Sequence, residues 1–316
     1  MPADRLIPLL QNRLDALRDS GGLKGAESVT RAVLPPADGK GPRYLLEGCG
    51  DKPFLRMNSN SYLGLSFETR VREAEEEAVR RYGTGPGAVR FISGTWAPHV
   101  ALERRLSDFH GRPAAMLFSS AYATVMGALP PLITDKTAVI SDALNHNCII
   151  NAIALARPAE KHIYAHLDFG QLERQLEAAA KSCTRAIVVT DGVFSMRGDH
   201  APLDKLMDLA ARHDANFSEN VVVVVDDSHG VGGFGTTGRG TEEVCGGRPV
   251  DVLIGTLGKA FGVNGGYVTA AAPVIAYLRE TAATHTYSNP ITPAPAEPAP
   301  APVDPVHTPA EPGQPP

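Results

Sequence analysis

Two strongly apolar segments of the chain end in side chains that can do chemistry. The segment VVVVVDDSHG places Asp226, Asp227 and His229 directly after five valines, and the segment DVLIGTLGKA reaches Lys259 between a glycine and an alanine. Two acids and an imidazole at the end of a buried strand are poorly explained by packing. A lysine among small residues is open to close approach by ligand or backbone. The pattern predicts a reactive amine near acidic and imidazole groups.

The same two segments are also compatible with ordinary structural roles. Asp226 and Asp227 could cap the turn that follows the valines, and an exposed lysine is usually a solvated charge. The run GVGGFG matches the dinucleotide fingerprint GxGxxG by letter. However, DDSH separates it from the strand and TTGRG, a poor helix former, follows, so no nicotinamide site is expected. GTLGKA resembles the end of a phosphate-binding P-loop, but Ala260 stands where a magnesium-binding Ser or Thr belongs.

The elements that must position these residues alternate along the chain. Strands separated by helices of ten or more residues require crossovers, which predicts an α/β fold with a mostly parallel sheet covered by helices. In such a sheet, ligands bind beyond the carboxyl ends of the strands. The predicted strands are Ala115–Phe118, Ala138–Ser141, Ala186–Thr190, Val221–Val225 and Val252–Gly255. The predicted helices are Val71–Tyr82, Trp96–His110, Cys148–Ala156, Phe169–Lys181 and Leu203–His213.

Composition excludes several classes of protein. The chain has 316 residues, 43% of them hydrophobic, and a formal net charge of −5, so nothing favours nucleic acid as a partner. No apolar stretch approaches the length of about 20 residues that a membrane helix needs. The four cysteines are scattered, without the spacing of a disulfide framework or a metal site. The apolar residues of LIPLLQNRLDAL recur at helical spacing, which predicts an amphipathic helix rather than a signal peptide. A cytoplasmic location is expected.

Spaced motifs between about Asn58 and Asn289 resemble one enzyme family. They are NSNSYLGLS, GTGPGAVRFISGT, SDALNHNCIINAI, TDGVFSMRGDHAPL, VDDSHGVGGFGTTGRG, GTLGKAFGVNGGY and YSN. Their order is similar to that of the fold-type-I pyridoxal-phosphate enzymes, and more narrowly of the α-oxoamine synthases. Within that family, VRFISGT, TDGVFSM and GTLGKAFG look closest to glycine C-acetyltransferase. The resemblance implies the large domain of a fold-type-I transferase and pyridoxal 5'-phosphate as cofactor.

The resemblance assigns four catalytic roles. Lys259 matches the lysine that holds the cofactor as a Schiff base and later removes a proton from the α-carbon of the amino acid. Asp226 matches the aspartate that pairs with the pyridine nitrogen and keeps it protonated. His229 matches the partner of the ring hydroxyl, and His146 matches the histidine stacked on the ring. A histidine satisfied within its own loop is the alternative for His146.

Further cofactor and substrate contacts follow from the same resemblance. Ser195 and Thr256 match residues near the ring and the phosphate, and Asn60 matches one near the substrate carboxylate. The turn that supplies backbone amides to the phosphate departs from the family, with Ala121 for a residue that is often glycine and Thr124 for a frequent asparagine. Those contacts survive if the turn keeps negative φ angles. The turn comprises Ser119, Ser120, Ala121 and Tyr122, and Ser288 and Asn289 match a segment that reaches the phosphate of a neighbouring subunit.

The resemblance also divides the chain. We expect an N-terminal helical arm over residues 1–45, a pyridoxal-phosphate-binding domain over 46–289 and a disordered tail over 290–316. The tail holds 11 of the 26 prolines and is expected to join neither helix nor sheet. Family members continue instead with a further α/β domain, whose arginine clamps the substrate carboxylate. That domain is expected to be missing here, and Arg90 is the candidate for the same task if the chain binds a carboxylate without it.

The function expected from the sequence is condensation of glycine, or another small amino acid, with an acyl-CoA, preferably acetyl-CoA, in a homodimer. The product is a 2-amino-3-oxo acid. One alternative is a truncated member of the family with impaired or no activity. Others are a decarboxylating condensation of the 8-amino-7-oxononanoate synthase type, or a different fold-type-I activity such as a transaminase or lyase. Neither nucleic acid nor a membrane is expected to take part.

Overall fold

The structure, a computed structural model, describes residues 3–296, and they divide into two compact units with the boundary between Ser59 and Asn60. The first unit begins with helix α1 (Leu6–Asp19), which confirms the predicted amphipathic helix. It continues with a three-stranded antiparallel sheet formed by β1 (Thr30–Leu34), β2 (Arg43–Leu46) and β3 (Pro53–Phe54). The expected helical arm over residues 1–45 is therefore helical only at its start, and the compact unit extends beyond residue 45.

The second unit contains a seven-stranded sheet with helices on both faces. Its strands are β4 (Ala114–Phe118), β5 (Thr137–Asp142), β6 (Glu160–Tyr164), β7 (Arg185–Asp191), β8 (Val221–Asp226), β9 (Val252–Thr256) and β10 (Gly266–Ala270). Its helices are α2 (Thr69–Tyr82), α3 (Ala97–Phe109), α4 (Ala121–Ala128), α5 (Asn147–Ala156), α6 (Phe169–Ala179), α7 (Leu203–His213), α8 (Thr241–Val244), α9 (Ala272–Thr281), α10 (Ala283–Thr286) and α11 (Pro293–Ala296). All five predicted strands and all five predicted helices are present, with ends that move by one or two residues.

The strand order is β4-β10-β9-β8-β7-β5-β6. Strands β5 to β9 pair in parallel, and β10 is antiparallel to both of its neighbours. The mostly parallel sheet is thus confirmed, whereas β6 and β10 were not predicted. Strand β6 has alternating exposure at the sheet edge and so lacks the continuous apolar run of a strand covered on both faces, whereas β10 follows β9 without an intervening helix.

The valines of β8 show why the sequence is apolar at successive positions. Val223 and Val225 face one layer of helices, where they join Leu172 and Leu206 in the core. Val224 faces the opposite layer and packs with residues of α4, α5 and α9. Because neighbouring side chains of a strand point to opposite faces, a strand covered on both sides needs apolar residues throughout. Among the described residues, no helix is both long and apolar enough to span a membrane.

The segment after Pro290 differs from the sequence expectation. Ile291 is 5% exposed, and its carbonyl accepts a hydrogen bond of 2.9 Å from the Nε2 of His99 in α3. The short helix α11 follows, and Ala294 and Ala296 are buried. The prediction that this segment joins no helix is therefore wrong for residues 293–296, because proline is tolerated in the first turn of a helix. The rest of the predicted tail, residues 297–316, lies outside the described residues.

A buried ion cluster joins the segment GTGPGAVRFISGT, which contains Arg90, to the sheet. Both carboxylate oxygens of Glu103 in α3 accept hydrogen bonds from Arg90, at 3.1 and 3.3 Å, and Arg279 of α9 donates to the same carboxylate at 2.8 Å. Glu103 also accepts the backbone N–H of Leu117 in β4. Burial by itself disfavours the carboxylate, yet Arg90 and then Arg279 hold the pKa of Glu103 below its ordinary value. The cluster ties α3, α9 and β4 together.

Replacing Glu103 by glutamine should destabilise the fold by about 3–5 kcal/mol, because it leaves the buried Arg90 without a counter-charge. The free energy of unfolding in urea measures the effect. Glu76→Gln, which breaks an exposed pair with Arg80 in α2, is the matched control and should cost less than about 1 kcal/mol. Since the pKa of Glu103 is lowered on folding, its contribution should be present above pH ~4.5 and be lost as the pH falls further. Equal effects of the two substitutions would contradict the role given to the cluster.

Candidate active site

The parallel strands end in polar side chains at one edge of the sheet. Asp142, Asp191 and Asp226 are the last residues of β5, β7 and β8, and Thr256 is the last residue of β9. Asp191 and Asp226 are register partners, so their side chains leave neighbouring strands side by side. This alignment places a row of carboxylates where ligands bind in sheets of this type.

A cleft of about 360 Å³, measured out to its open mouth, lies beyond this edge. It brings together seven of the ten site residues predicted from sequence. These are Ala121, Tyr122, His146, Ser195, Asp226, His229 and Lys259. Three lining residues were not predicted, namely Cys148, Asp191 and Ser228. Asp191 follows a predicted strand, as Asp226 does, so its position in the sequence could have marked it as a site residue. Cys148 and Ser228 have no such mark in the sequence beyond their nearness to His146 and Asp227.

The amine of Lys259 enters the cleft from the loop after β9 and is half-buried. Burial lowers the pKa of Lys259, while the carboxylates of Asp226 and then Asp191 act in the opposite direction. A lowered pKa increases the fraction of neutral amine, which is the nucleophilic form. The hydroxyl of Thr256 donates to the carbonyl of Gly265 at 3.2 Å and accepts from the N–H of Gly258 at 3.1 Å. Thr256 therefore holds both ends of the lysine loop, and it does not line the cleft.

A second carboxylate supports His146. One oxygen of Asp191 accepts the backbone N–H of His146 at 3.0 Å. Burial, and then the charge of Asp226, raise the pKa of Asp191 to about 8. The thiol of Cys148 lies 2.9 Å from the Nδ1 of His146 and 3.7 Å from an oxygen of Asp226. His146 is thus satisfied within its own loop, which was the alternative for this residue, and it also lines the cleft.

The imidazole of His229 is neutral at physiological pH. Burial lowers the pKa of His229 to about 4, with further contributions from the charges of Lys259 and His146. Of the carboxylates at the sheet edge, Asp226 accepts the backbone N–H of Ser228 at 3.1 Å, which orients the start of the loop that carries His229. A neutral imidazole donates one hydrogen bond from its protonated ring nitrogen and accepts one at the other.

The first turn of α4 forms another wall of the cleft. The side chain of Ser120 caps the helix by accepting the N–H of Ala123 at 3.1 Å, and the helix gives no acceptor to the amides of Ala121 and Tyr122. Among the described residues, positive φ at non-glycine positions occurs only at Asp38, Arg157, Leu167 and Asn220, so the turn meets the predicted condition. A Cβ on Gly266 would lie 2.5 Å from the nitrogen of Ala121, so glycine at this position of β10 permits the close packing of the turn.

Besides Thr256, three residues singled out from the sequence do not line the cleft. Asn60 is exposed, and its carbonyl accepts the N–H of Tyr62 at 3.0 Å. Ser288 is half-buried after α10, and its role toward a neighbouring subunit stays a prediction. Arg90 is 7% exposed and bound to Glu103, so it does not offer its guanidinium to a substrate carboxylate.

His166 connects two loops of the site. Its Nδ1 lies 3.0 Å from an oxygen of Asp142, and its Nε2 lies 3.2 Å from an oxygen of Asp199. Asp142 ends β5 just before the turn to His146, and Asp199 belongs to the loop that carries Ser195. The imidazole therefore holds the His146 and Ser195 loops at a fixed spacing.

Asp227 points away from the cleft and organises the loop after β8. It is fully buried and accepts hydrogen bonds from the backbone N–H and the hydroxyl of Thr241, at 2.7 and 2.6 Å. A Cβ on Gly192, Gly230 or Gly240 would lie 2.0 to 2.2 Å from a carboxylate oxygen of Asp227. Gly230 of the GxGxxG-like run, together with Gly192 and Gly240 outside it, thus makes room for the buried carboxyl group of Asp227.

The fold and the cleft define the class of protein. Residues 52–299 match the family Aminotransferase class I and II, and the chain therefore belongs to that family. Within the described residues, no group of three or more His, Cys, Asp or Glu side chains is placed to hold a metal ion.

The relatives narrow the class to the α-oxoamine synthases. The 8-amino-7-oxononanoate synthase of Petrotoga mobilis is 38% identical over 90% of this chain and 69% of its own length. The human mitochondrial 2-amino-3-ketobutyrate coenzyme A ligase is 38% identical over 92% of this chain and 66% of its own length. A serine palmitoyltransferase from S. paucimobilis, solved with bound PLP and myriocin, shares the fold at a TM-score of 0.80 and 28% identity, covering 96% of this chain and 71% of that one. The chain thus spans about two thirds of the length of these relatives.

Replacing Asp227 by asparagine should change how stability depends on pH. Burial raises the pKa of Asp227 to about 7, so between pH ~4 and pH ~7 the folded state binds a proton that the unfolded state has released. The free energy of unfolding of the wild type should therefore fall with rising pH by about 1.4 kcal/mol per unit from this residue. Asparagine keeps both contacts with Thr241, whose hydroxyl can accept as well as donate, but it has no proton to lose.

The measurement is a series of urea titrations of wild type and variant between pH 4 and pH 7. The difference between the two slopes isolates Asp227 from other acids. Asp208→Asn, at an exposed ion pair with Arg248, is the control and should leave the slope unchanged. Parallel slopes for Asp227→Asn and wild type would show that Asp227 is ionised throughout this range.

Proposed function

We propose that this chain carries the cofactor site of a pyridoxal-phosphate-dependent acyltransferase that joins a small α-amino acid to an acyl-CoA. The observation that carries the proposal is the amine of Lys259 in a cleft floored by Asp226 and Asp191, with the pKa of the amine lowered by burial. Glycine and acetyl-CoA are the substrates that the sequence motifs favour.

The residues of the cleft fit each part of the cofactor. The aldehyde needs an amine, which Lys259 supplies, and a protonated pyridine nitrogen needs a carboxylate, which Asp226 supplies. The ring oxygen needs a donor such as His229, and the phosphate needs the free amides at the start of α4. Pyridoxal phosphate, when bound, supplies an aldehyde that captures amines and a ring that accepts electrons from the α-carbon. Ser195 lies on the remaining wall of the cleft.

The chain's own groups then handle the protons. Asp226, buried at the end of β8, keeps a proton on the ring nitrogen, because a carboxylate in a site of low polarity favours a cationic partner. With the cofactor bound, Lys259 would be the base that removes the α-proton of the amino acid. Its lowered pKa suits a base that must be neutral at physiological pH. His146 closes one side of the cleft, and its backbone is fixed by Asp191.

The names of the relatives define two product types. The skeleton of 2-amino-3-ketobutyrate is that of glycine joined to an acetyl group. The skeleton of 8-amino-7-oxononanoate is that of alanine, without its carboxyl carbon, joined to a seven-carbon dicarboxylic acyl group. Both follow from attack of an amino-acid α-carbon on an activated acyl group. The decarboxylating reaction is therefore the second candidate, and it is favoured by the identity of 38–41% to several such synthases.

Lys259 should be the residue that captures the cofactor. After incubation with pyridoxal phosphate and reduction with borohydride, peptide mapping should place the pyridoxyl group on Lys259. Lys259→Ala should lose the label and all turnover, while Lys205→Ala, on the exposed face of α7, should keep both. Recovery of the label on any other lysine refutes the assignment.

The two reactions differ in what they release. Purified protein is offered glycine with acetyl-CoA, and alanine with a seven-carbon dicarboxylic acyl-CoA, and free CoA thiol and carbon dioxide are measured. We expect thiol release with the first pair at least tenfold faster than with the second, without stoichiometric carbon dioxide. Faster thiol release with the second pair, matched by carbon dioxide, would assign the decarboxylating reaction instead. Thiol release with neither pair, in protein that has taken up cofactor, contradicts the acyltransferase proposal.

A further inference from the structure

Tyr62 makes the one hydrogen bond to the His229 ring that the described residues provide. Its hydroxyl lies 2.5 Å from the Nδ1 of His229, and the two rings are tilted at 49° with centroids 6.2 Å apart. Tyr62 belongs to the NSNSYLGLS segment, 167 positions before His229 in the chain. The contact therefore exists only in the folded unit.

The protons of this pair follow from its surroundings. Burial keeps the pKa of Tyr62 above its ordinary value, so the phenol retains its proton. His229 is neutral, with a pKa of about 4, and so carries one N–H and one lone pair. A phenol O–H is a better donor than a neutral imidazole N–H, and it makes no other hydrogen bond to the described residues. The Nδ1 of His229 is thus the acceptor, and the ring proton is on Nε2.

The orientation of the ring sends that proton into the cleft. Of the two residues, only His229 is among the described residues that line the cleft. Since Nδ1 is engaged by Tyr62, which does not line the cleft, Nε2 is the ring nitrogen of His229 that is left for a contact in the cleft. Lys259 and His146 are the titratable groups that disfavour a second proton on the His229 ring.

We propose that Tyr62 is a positioning residue that fixes the tautomer and orientation of His229, so that Nε2–H is a permanent donor into the cleft. Its value for catalysis rests on the proposed function, in which the acceptor is the ring oxygen of pyridoxal phosphate. A donor with a fixed proton favours an anionic oxygen there, whereas the other tautomer would present a lone pair and repel it.

The test is a ¹⁵N NMR spectrum of the cofactor-free protein labelled at histidine, with the His229 signals identified by their loss in His229→Asn. In the wild type we expect a single neutral form protonated at Nε2 between pH 6 and pH 8. In Tyr62→Phe, the fraction protonated at Nδ1 should rise from undetectable to a measurable minority. Incorporation of 3-fluorotyrosine, which retains the donor, should preserve the wild-type pattern. Tyr277→Phe, whose hydroxyl contacts Pro131 on the surface, is the control and should change nothing.

A wild-type His229 protonated at Nδ1, or a Tyr62→Phe spectrum identical to that of the wild type, overturns the proposal. The wild-type spectrum decides this even if the Phe variant fails to fold. A second arm adds pyridoxal phosphate and follows the absorbance of the bound cofactor against pH, and the midpoint should differ between wild type and Tyr62→Phe. If neither protein takes up the cofactor, the proposed function fails while the NMR result still stands. If both proteins take up the cofactor and the pH midpoints of its absorbance coincide, Tyr62 has no role toward the ring oxygen.

Discussion

The alignment of carboxylates at the ends of neighbouring parallel strands is the constraint around which the rest of the site is arranged. The register of β7 and β8 places Asp191 directly beside Asp226, and Asp142 ends the next strand along. Like charges so close in a buried place cost free energy unless they are compensated. Asp142 is compensated by His166 and backbone amides, and Asp191 by the N–H of His146. The amine of Lys259 completes the set, because it opposes the rise that burial and Asp226 cause in the pKa of Asp191.

This compensation is what fixes the catalytic loops. The N–H of His146 that binds Asp191 belongs to a loop that reaches the cleft, and His166 joins Asp142 to the loop that carries Ser195, so electrostatic satisfaction and loop geometry are achieved by the same contacts. Asp227 fixes a loop in the same way, although it does not line the cleft. It accepts hydrogen bonds from Thr241 and is enclosed by glycines. A buried carboxyl group whose two oxygens accept hydrogen bonds can hold a long loop of small residues that has little apolar surface of its own. The loop from Ser228 to Gly240 is of that kind.

The electrostatics of the cleft also set the protonation states that the chemistry requires. Burial lowers the pKa values of both Lys259 and His229, whereas it raises that of Asp191. Desolvation disfavours every charged form, so the amine and the imidazole move toward neutrality together. A neutral amine can capture an aldehyde, and a neutral imidazole with one fixed proton can serve as a donor. The same cleft would suit any reaction that begins on an amino acid held this way.

Much of the fold and the centre of the site were determined by the sequence alone. Five of the seven strands of the main sheet could be predicted because strands buried on both faces must be apolar throughout, and Lys259, Asp226 and His229 because polar residues directly follow such strands. Only the tertiary structure decided which further groups meet them. The position of Asp191 after a predicted strand could have marked it, but only the register of β7 and β8 shows that it lies beside Asp226. Tyr62 reaches His229 from 167 positions earlier in the chain, and α11 packs on α3 despite its prolines. Such contacts depend on the relative placement of distant segments, which local spacing does not encode.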